Sequence, residues 1–162
     1  MKQIIEEIRR ALSAGFFYLA IATCLTLPDI CAALESENGK SNAEKYKAWL
    51  LENMGQRLRQ LTPEDFWNLR NGVLHQGKFG HPAMPYSGII FSLPTENRIR
   101  LHNNLLGDKL NLDAKTFCEA MLNAVSTWLI KMEGNAIFSN NIERLVGPKW
   151  LTLFGQRIPV IA

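Results

Sequence analysis

Ile5, Ile8, Leu12, Phe16 and Leu19 recur at helical spacing, and from Ala11 to Pro28 no residue carries a charge. This pattern predicts a helix over about residues 2–26, amphipathic at first and then apolar all round, as in the centre of a bundle. Pro28 cannot continue that helix but suits the first turn of another, so a short second helix is predicted over about 28–36. Ser36-Glu37-Asn38-Gly39-Lys40 reads as a loop. Ser41-Asn42-Ala43-Glu44 has the form of a capping box and predicts a third helix to about Arg59. Thr62-Pro63-Glu64-Asp65 is a further start signal, with Thr as N-cap, Pro at the first helical position and acids facing the dipole. The helix it opens carries Phe66, Leu69, Val73 and Leu74 and stops near Gly77.

The pattern then changes. Lys78 to Ser87 contains Gly80, Pro82 and Pro85 and predicts an irregular loop. Gly88–Leu93 and Arg98–Asn103 read as short strands, and Gly107-Asp108 as a turn before a strand at Lys109–Leu112. Together they make a small β-hairpin insertion over about 86–112. Asp113 caps a long amphipathic helix to about Glu133, with Phe117, Met121, Leu122, Val125 and Leu129 on its apolar side. A shorter helix follows at about 136–145, and Gly147-Pro148 ends it. The apolar tail over about 148–162 is expected to dock on the body or on a neighbouring chain. The expected fold is mainly α, a helical bundle in one domain over 1–162.

Composition narrows this further. With 162 residues, 47% apolar and 20% charged, the chain can bury a core without disulfide or metal. The net charge of +3 is spread along the chain, so any nucleic-acid footprint must be assembled by folding. Cys24, Cys31 and Cys118 are an odd count without CxxC spacing and read as buried free thiols in a reducing compartment. Three histidines without a Cys/His cluster supply no metal site, and no glycine-rich phosphate loop supports a nucleotide cofactor. The uncharged stretch after Arg9-Arg10 superficially suggests a signal peptide or membrane span. Gly15, Ser13, Thr23 and Thr26 dilute it, and Glu6-Glu7 spoils a positive leader, so a core helix of a cytoplasmic protein is expected instead.

The candidate chemistry lies late in the helix that starts at Thr62. Asn71 and His75 are one turn apart and point to one side, and the long Arg70 side chain can swing toward the same cleft. Together they offer a titratable imidazole, a fixed cation and a neutral amide, a set suited to phosphodiester chemistry. Taken alone, R-x4-H is a weak pattern that reads first as a surface arginine and a helix-end histidine favoured by the dipole.

Leu69-Arg70-Asn71-Gly72-Val73-Leu74-His75-Gln76-Gly77 resembles the signature of the HEPN superfamily: Arg, a polar residue that is often Asn, a short spacer and His. The resemblance implies a four- to five-helix bundle with the motif toward the end of a helix. It implies a metal-independent endoribonuclease of toxin or phage-defence type, leaving 2′,3′-cyclic phosphate and 5′-OH ends. Arg70, Asn71 and His75 would be its catalytic residues, without cofactor or metal. RNA, a second copy in a homodimer that faces two motifs across one cleft, and an antitoxin or other partner protein are the implied partners. Some members of the family bind RNA or proteins without cutting, so a non-catalytic helical module is the alternative. One toxin subgroup has a Tyr two residues after the His, where this chain has Gly77.

Other residues carry less. His81 before Pro82 reads as an exposed loop residue, and His102 at a strand end as a possible second proton carrier. Arg57 and Arg59 read as a solvated helix end able to flank a cleft. Phe16, Phe17 and Tyr18 read as core more than as a base-stacking platform, and Trp49, Trp67 and Trp128 as core or interface anchors. Asp29 and Glu35 show no interpretable carboxylate spacing.

Overall fold

The computed structural model describes residues 1–94, 101–153 and 156–161. Among the described residues, six α-helices and five short strands follow one another: α1 Lys2–Ser13, α2 Phe17–Glu35, α3 Ala43–Met54, α4 Pro63–Gln76, β1 Gly88–Ser92, β2 Asn104–Leu106, β3 Lys109–Asp113, α5 Ala114–Lys131, α6 Ala136–Ile142, β4 Pro148–Leu153 and β5 Gln156–Ile161. The chain is thus mainly helical, with small strands in its second half.

The first predicted helix is broken earlier than expected. Gly15 takes φ +79°, and the chain turns there between α1 and α2. The apolar series therefore does not face one core: Ile5 and Ile8 are buried, whereas Phe16 and Leu19 are about 60% exposed. Pro28, expected to start a new helix, lies inside α2, which runs on to Glu35. A proline there removes one N–H and crowds the carbonyls of the preceding turn. The carbonyl left without its helical donor is that of Cys24, and the next one, of Leu25, accepts from the buried Tyr46 hydroxyl of α3 (3.0 Å).

Asn42, and not Ser41, caps α3, its side-chain oxygen accepting the Lys45 N–H at 2.9 Å. That helix ends at Met54, short of Arg59, and residues Gly55–Leu58 form a tighter 3₁₀ turn. α4 is as its signals predict, with a reciprocal Thr62–Asp65 capping box and a left-handed Gly77 at its end. Phe66, Leu69 and Val73 are buried, but Leu74 is exposed. Asp113 caps α5 by accepting the Thr116 N–H at 2.7 Å.

The β-insertion is more than a hairpin. β1 pairs parallel with β3, and β2 pairs antiparallel with β3 across the Gly107 turn, giving the order β1-β3-β2. The strand expected at 98–103 lies partly outside the described residues; 101–103 are not strand. One hydrophobic cluster joins these elements, centred on α2 and α5, with Trp49 and Trp128 meeting edge to face. α6 is shorter than expected, ending at Ile142, and Asn141 donates to the Leu34 and Ser36 carbonyls at the end of α2. Among its described residues, the apolar tail is not packed on the body of its own chain. β4 and β5 pair with each other and make no extensive contact with a helix.

Candidate functional site

α4 carries Arg70 and Asn71 in its penultimate turn and His75 in its last. Arg70 is fixed on three sides. Its Nε donates to Asp29 Oδ2 of α2 at 2.9 Å, its Nη1 donates to Asn71 Oδ1 at 2.9 Å, and its guanidinium lies 5.1 Å from the centre of the Trp67 ring. Asp29 is held in turn by the Ser41 hydroxyl at 3.2 Å. Both ion-pair side chains are about four-fifths buried, so solvent screens this contact less than a surface pair. Of the five N–H groups of a guanidinium, three have no partner among the described residues, which leaves the Nη edge able to meet an anion.

Arg70 and Asn71 are thus brought together directly. His75 is exposed one turn further on and its ring makes no hydrogen bond among the described residues. Asn71 uses its carbonyl oxygen to position Arg70, so its amide nitrogen remains the free donor.

Asp29 is the partner that sequence reasoning missed. The available signal was its isolation, since it is the first charge after the uncharged Ala11–Pro28 stretch. A lone carboxylate on an apolar helix requires a cation or exposure.

The segment after α4 turns back over it. Lys78 N–H donates to the Gly72 carbonyl at 3.0 Å, and the Phe79 carbonyl accepts from Ile89 N–H of β1 at 2.9 Å. Phe79 packs against Phe91 at 4.9 Å and against Tyr18 at 5.8 Å. Phe16 and Tyr18, expected in the core, are 60% and 49% exposed, so Tyr18 offers an open ring beside this turn. An open cleft of about 550 Å³ adjoins the end of α4, lined by Gln76, Lys78, Phe79, His81 and Tyr86 among others. His81 closes its own loop, its Nδ1 accepting the Ala83 N–H at 3.2 Å.

His102 has a structural task. Its Nδ1 accepts the Asp113 N–H at 3.0 Å, at the start of α5, in a small cavity shared with Arg57, Leu58 and Phe117. Burial pushes its pKa down, with the Asp113 carboxylate opposing. An unfolded chain takes up this proton near pH 6.5, so stability present above that pH is lost as pH falls toward the depressed folded value. The Glu35 carboxyl, pushed up by burial, works in the opposite sense. The readout is therefore a comparison: between pH 7.5 and 5.5 (on the order of one unit either side of the reference value) His102→Asn should lose less melting temperature than wild type. Asn keeps an acceptor for the Asp113 N–H but does not titrate. Equal losses in both proteins would place the pH dependence on other groups.

Trp49 and Trp128 are buried, while Trp67 is only partly covered and lies beneath Arg70. All three cysteines are buried free thiols, and burial holds Cys31 well above the usual thiol range. Among the described residues, no three His, Cys, Asp or Glu side chains gather as a ligand set for a metal ion. Comparison with known protein families, with curated proteins and with solved structures finds no match to this chain.

Proposed function

We propose that this chain is a HEPN-type, metal-independent endoribonuclease acting in the cytoplasm in a toxin or phage-defence setting. Its bundle is then the four- to five-helix HEPN arrangement, extended by the small sheet and the C-terminal hairpin. The observation that carries the reading is the fixed Arg70: Asp29 and Asn71 hold the guanidinium with N–H groups to spare, one helical turn from an exposed His75. His75 takes the proton from a ribose 2′-OH as that oxygen attacks phosphorus, or gives one to the departing 5′-oxygen. Arg70 stabilises the charge on the phosphoryl oxygens through hydrogen bonds that strengthen as it develops. The P–O5′ bond breaks, leaving a 2′,3′-cyclic phosphate and a 5′-OH. One motif supplies half of such a cleft, so the active unit is a homodimer that apposes two α4 helices, open to control by an antitoxin. The exposed Tyr18 ring supports the reading, because bases of single-stranded RNA stack on aromatic faces.

α2 is long and apolar enough to cross a membrane by length and composition, and about half of its apolar window is buried in the fold. We read it as the core helix of this bundle, packed on α1, α3, α4, α5 and α6.

A second reading has its own support. The Asp29 carboxylate already neutralises Arg70, which suits a helix tie in a non-catalytic module that binds RNA or a partner protein. Purified protein incubated with single-stranded RNA in EDTA separates the two. Cleavage with cyclic-phosphate ends supports the nuclease; retention of intact RNA assigns a binding module.

A further inference from the structure

The C-terminal hairpin and an acidic cleft at the end of α2 are features of the molecule that the Arg70–His75 site does not use. The register of β4 and β5 divides the hairpin into two faces. Trp150, Pro159 and Ile161 share one with Arg157, whose guanidinium lies 5.0 Å from the centre of the Trp150 ring. Leu151, Ile158 and Val160 share the other with Lys149. Trp150, Leu151, Ile158 and Ile161 are 40–77% exposed. A lone two-stranded hairpin is at best marginally stable in water, so one with apolar clusters on both faces needs a surface to cover it. Its charges are all of one sign: residues 148–161 contain Lys149 and Arg157 and no acid.

The opposite sign is found at the end of α2. A cleft of about 480 Å³ is lined by Glu35, Glu37, Glu52, Asn38, Lys45 and Trp49 among others. None of these three carboxylates has an ion-pair partner among the described residues, and the Lys45 ammonium is taken up by the Ser36 hydroxyl and the Lys40 carbonyl. Trp49 is 2% exposed, and its indole N–H has no hydrogen-bond partner. The cleft therefore presents Glu37 and Glu52, which have no side-chain partner among the described residues, beside Glu35, which already accepts the Trp128 indole N–H, over the buried Trp49 indole. Asn141 of α6 is bonded to the Leu34 and Ser36 carbonyls at the edge of this cleft, and the hairpin starts seven positions later in the chain, at Pro148.

We propose that the hairpin is an exchange arm that docks in the Glu35–Glu37–Glu52 cleft of a second copy of this chain. Basic arm and acidic cleft are both on one sequence, so the surface is self-complementary. Reciprocal exchange about a two-fold axis forms the contact twice and closes the assembly. Lys149 and Arg157 meet the carboxylates, and the apolar positions cover the walls around Trp49. The hairpin does not fill its own cleft in this structure, which leaves that cleft open to the partner's arm.

The test uses the full chain and the burial of its native thiols, which leaves introduced cysteines as the accessible ones. Protein carrying Ile158→Cys is mixed with a size-tagged protein carrying Glu37→Cys and oxidised mildly. The expected result is a disulfide between the two proteins, found as a mixed dimer on a non-reducing gel. Arg157→Glu on the arm should lower its yield about tenfold or more, and Glu52→Arg in the cleft partner should restore it, since close interfacial charge pairs couple this strongly. Restoration also shows that both variants fold. If the two cysteines placed in one chain join only within that chain, the arm serves its own cleft and the exchange is wrong. Absence of both products overturns arm docking altogether. The readout is arm position, so it is independent of RNA cleavage and of a dimer formed through α4.

Discussion

His75→Ala removes RNA cleavage, with a loss of at least about 10²-fold in kcat/KM, while the melting temperature stays within about 2 °C of wild type. The stability half follows from exposure, since the ring makes no hydrogen bond among the described residues and its loss orphans none. Arg70→Ala is a different experiment. It leaves the Asp29 carboxylate, four-fifths buried, without its cation, and an orphaned buried charge costs more than a lost surface contact. This variant should lose cleavage and also melt lower, so it cannot by itself separate chemistry from folding. Arg70→Lys does so: an ammonium can still pair with Asp29, keeping the melt near wild type, but it lacks the planar N–H edge for a phosphoryl group. Cleavage should fall about as far as in His75→Ala. Asn71→Ala should be milder, because it loosens Arg70 at one of three restraints. Cleavage at the wild-type rate by stable His75→Ala protein would remove the nuclease reading's proton carrier.

What the sequence disclosed was local. α4 was legible because Thr62, Pro63 and Asp65 are neighbours and Gly77 closes the helix that they open. The Asp113 cap was legible for the same reason. What failed depended on partners far along the chain. Pro28 signals a boundary by every local rule, yet Tyr46 from another helix services the backbone beside it. Gly15 was read as a dilution of an apolar helix, although its left-handed turn splits that helix in two. The parallel pairing of β1 with β3 has no local signal at all, because a long connection separates the strands. At the site, Arg70, Asn71 and His75 could be grouped by helical spacing. Asp29, 41 positions away, could not. Whether the apolar tail meets its own body or a neighbouring chain had no local signal either, and its strand pairing leaves apolar side chains exposed on both faces.

Gly72→Ala should destabilise the protein by about 2–4 kcal/mol, lowering the melting temperature by roughly 4–15 °C at this chain length. Two effects compete. Alanine is the better helix former, and in an open helix the exchange would stabilise by about 1 kcal/mol. Against it, a Cβ on Gly72 would stand 2.4 Å from the Gly80 carbonyl oxygen and 2.9 Å from that of Lys78. Both are backbone atoms, and the segment that carries them cannot drift away cheaply. Lys78 N–H is bonded to the Gly72 carbonyl, the Phe79 carbonyl to Ile89, and the Phe79 ring is packed between Tyr18 and Phe91. Moving the turn strains or breaks these bonds at about 1 kcal/mol each, on top of the steric cost, so the clash exceeds the gain in helix propensity. The glycine between Arg70-Asn71 and His75 is thus needed for packing, and its replacement should also displace Phe79 from Tyr18 and blunt any activity beside them. Gly77→Ala is the control. Its Cβ would meet nothing within 4 Å, but φ is +64°, so it should cost only about 1–2 kcal/mol for the left-handed conformation. Thermal melts of the two variants side by side decide the matter. Gly72→Ala melting at or above wild type would mean that helix propensity prevails and that the turn after α4 does not cross the helix at Gly72.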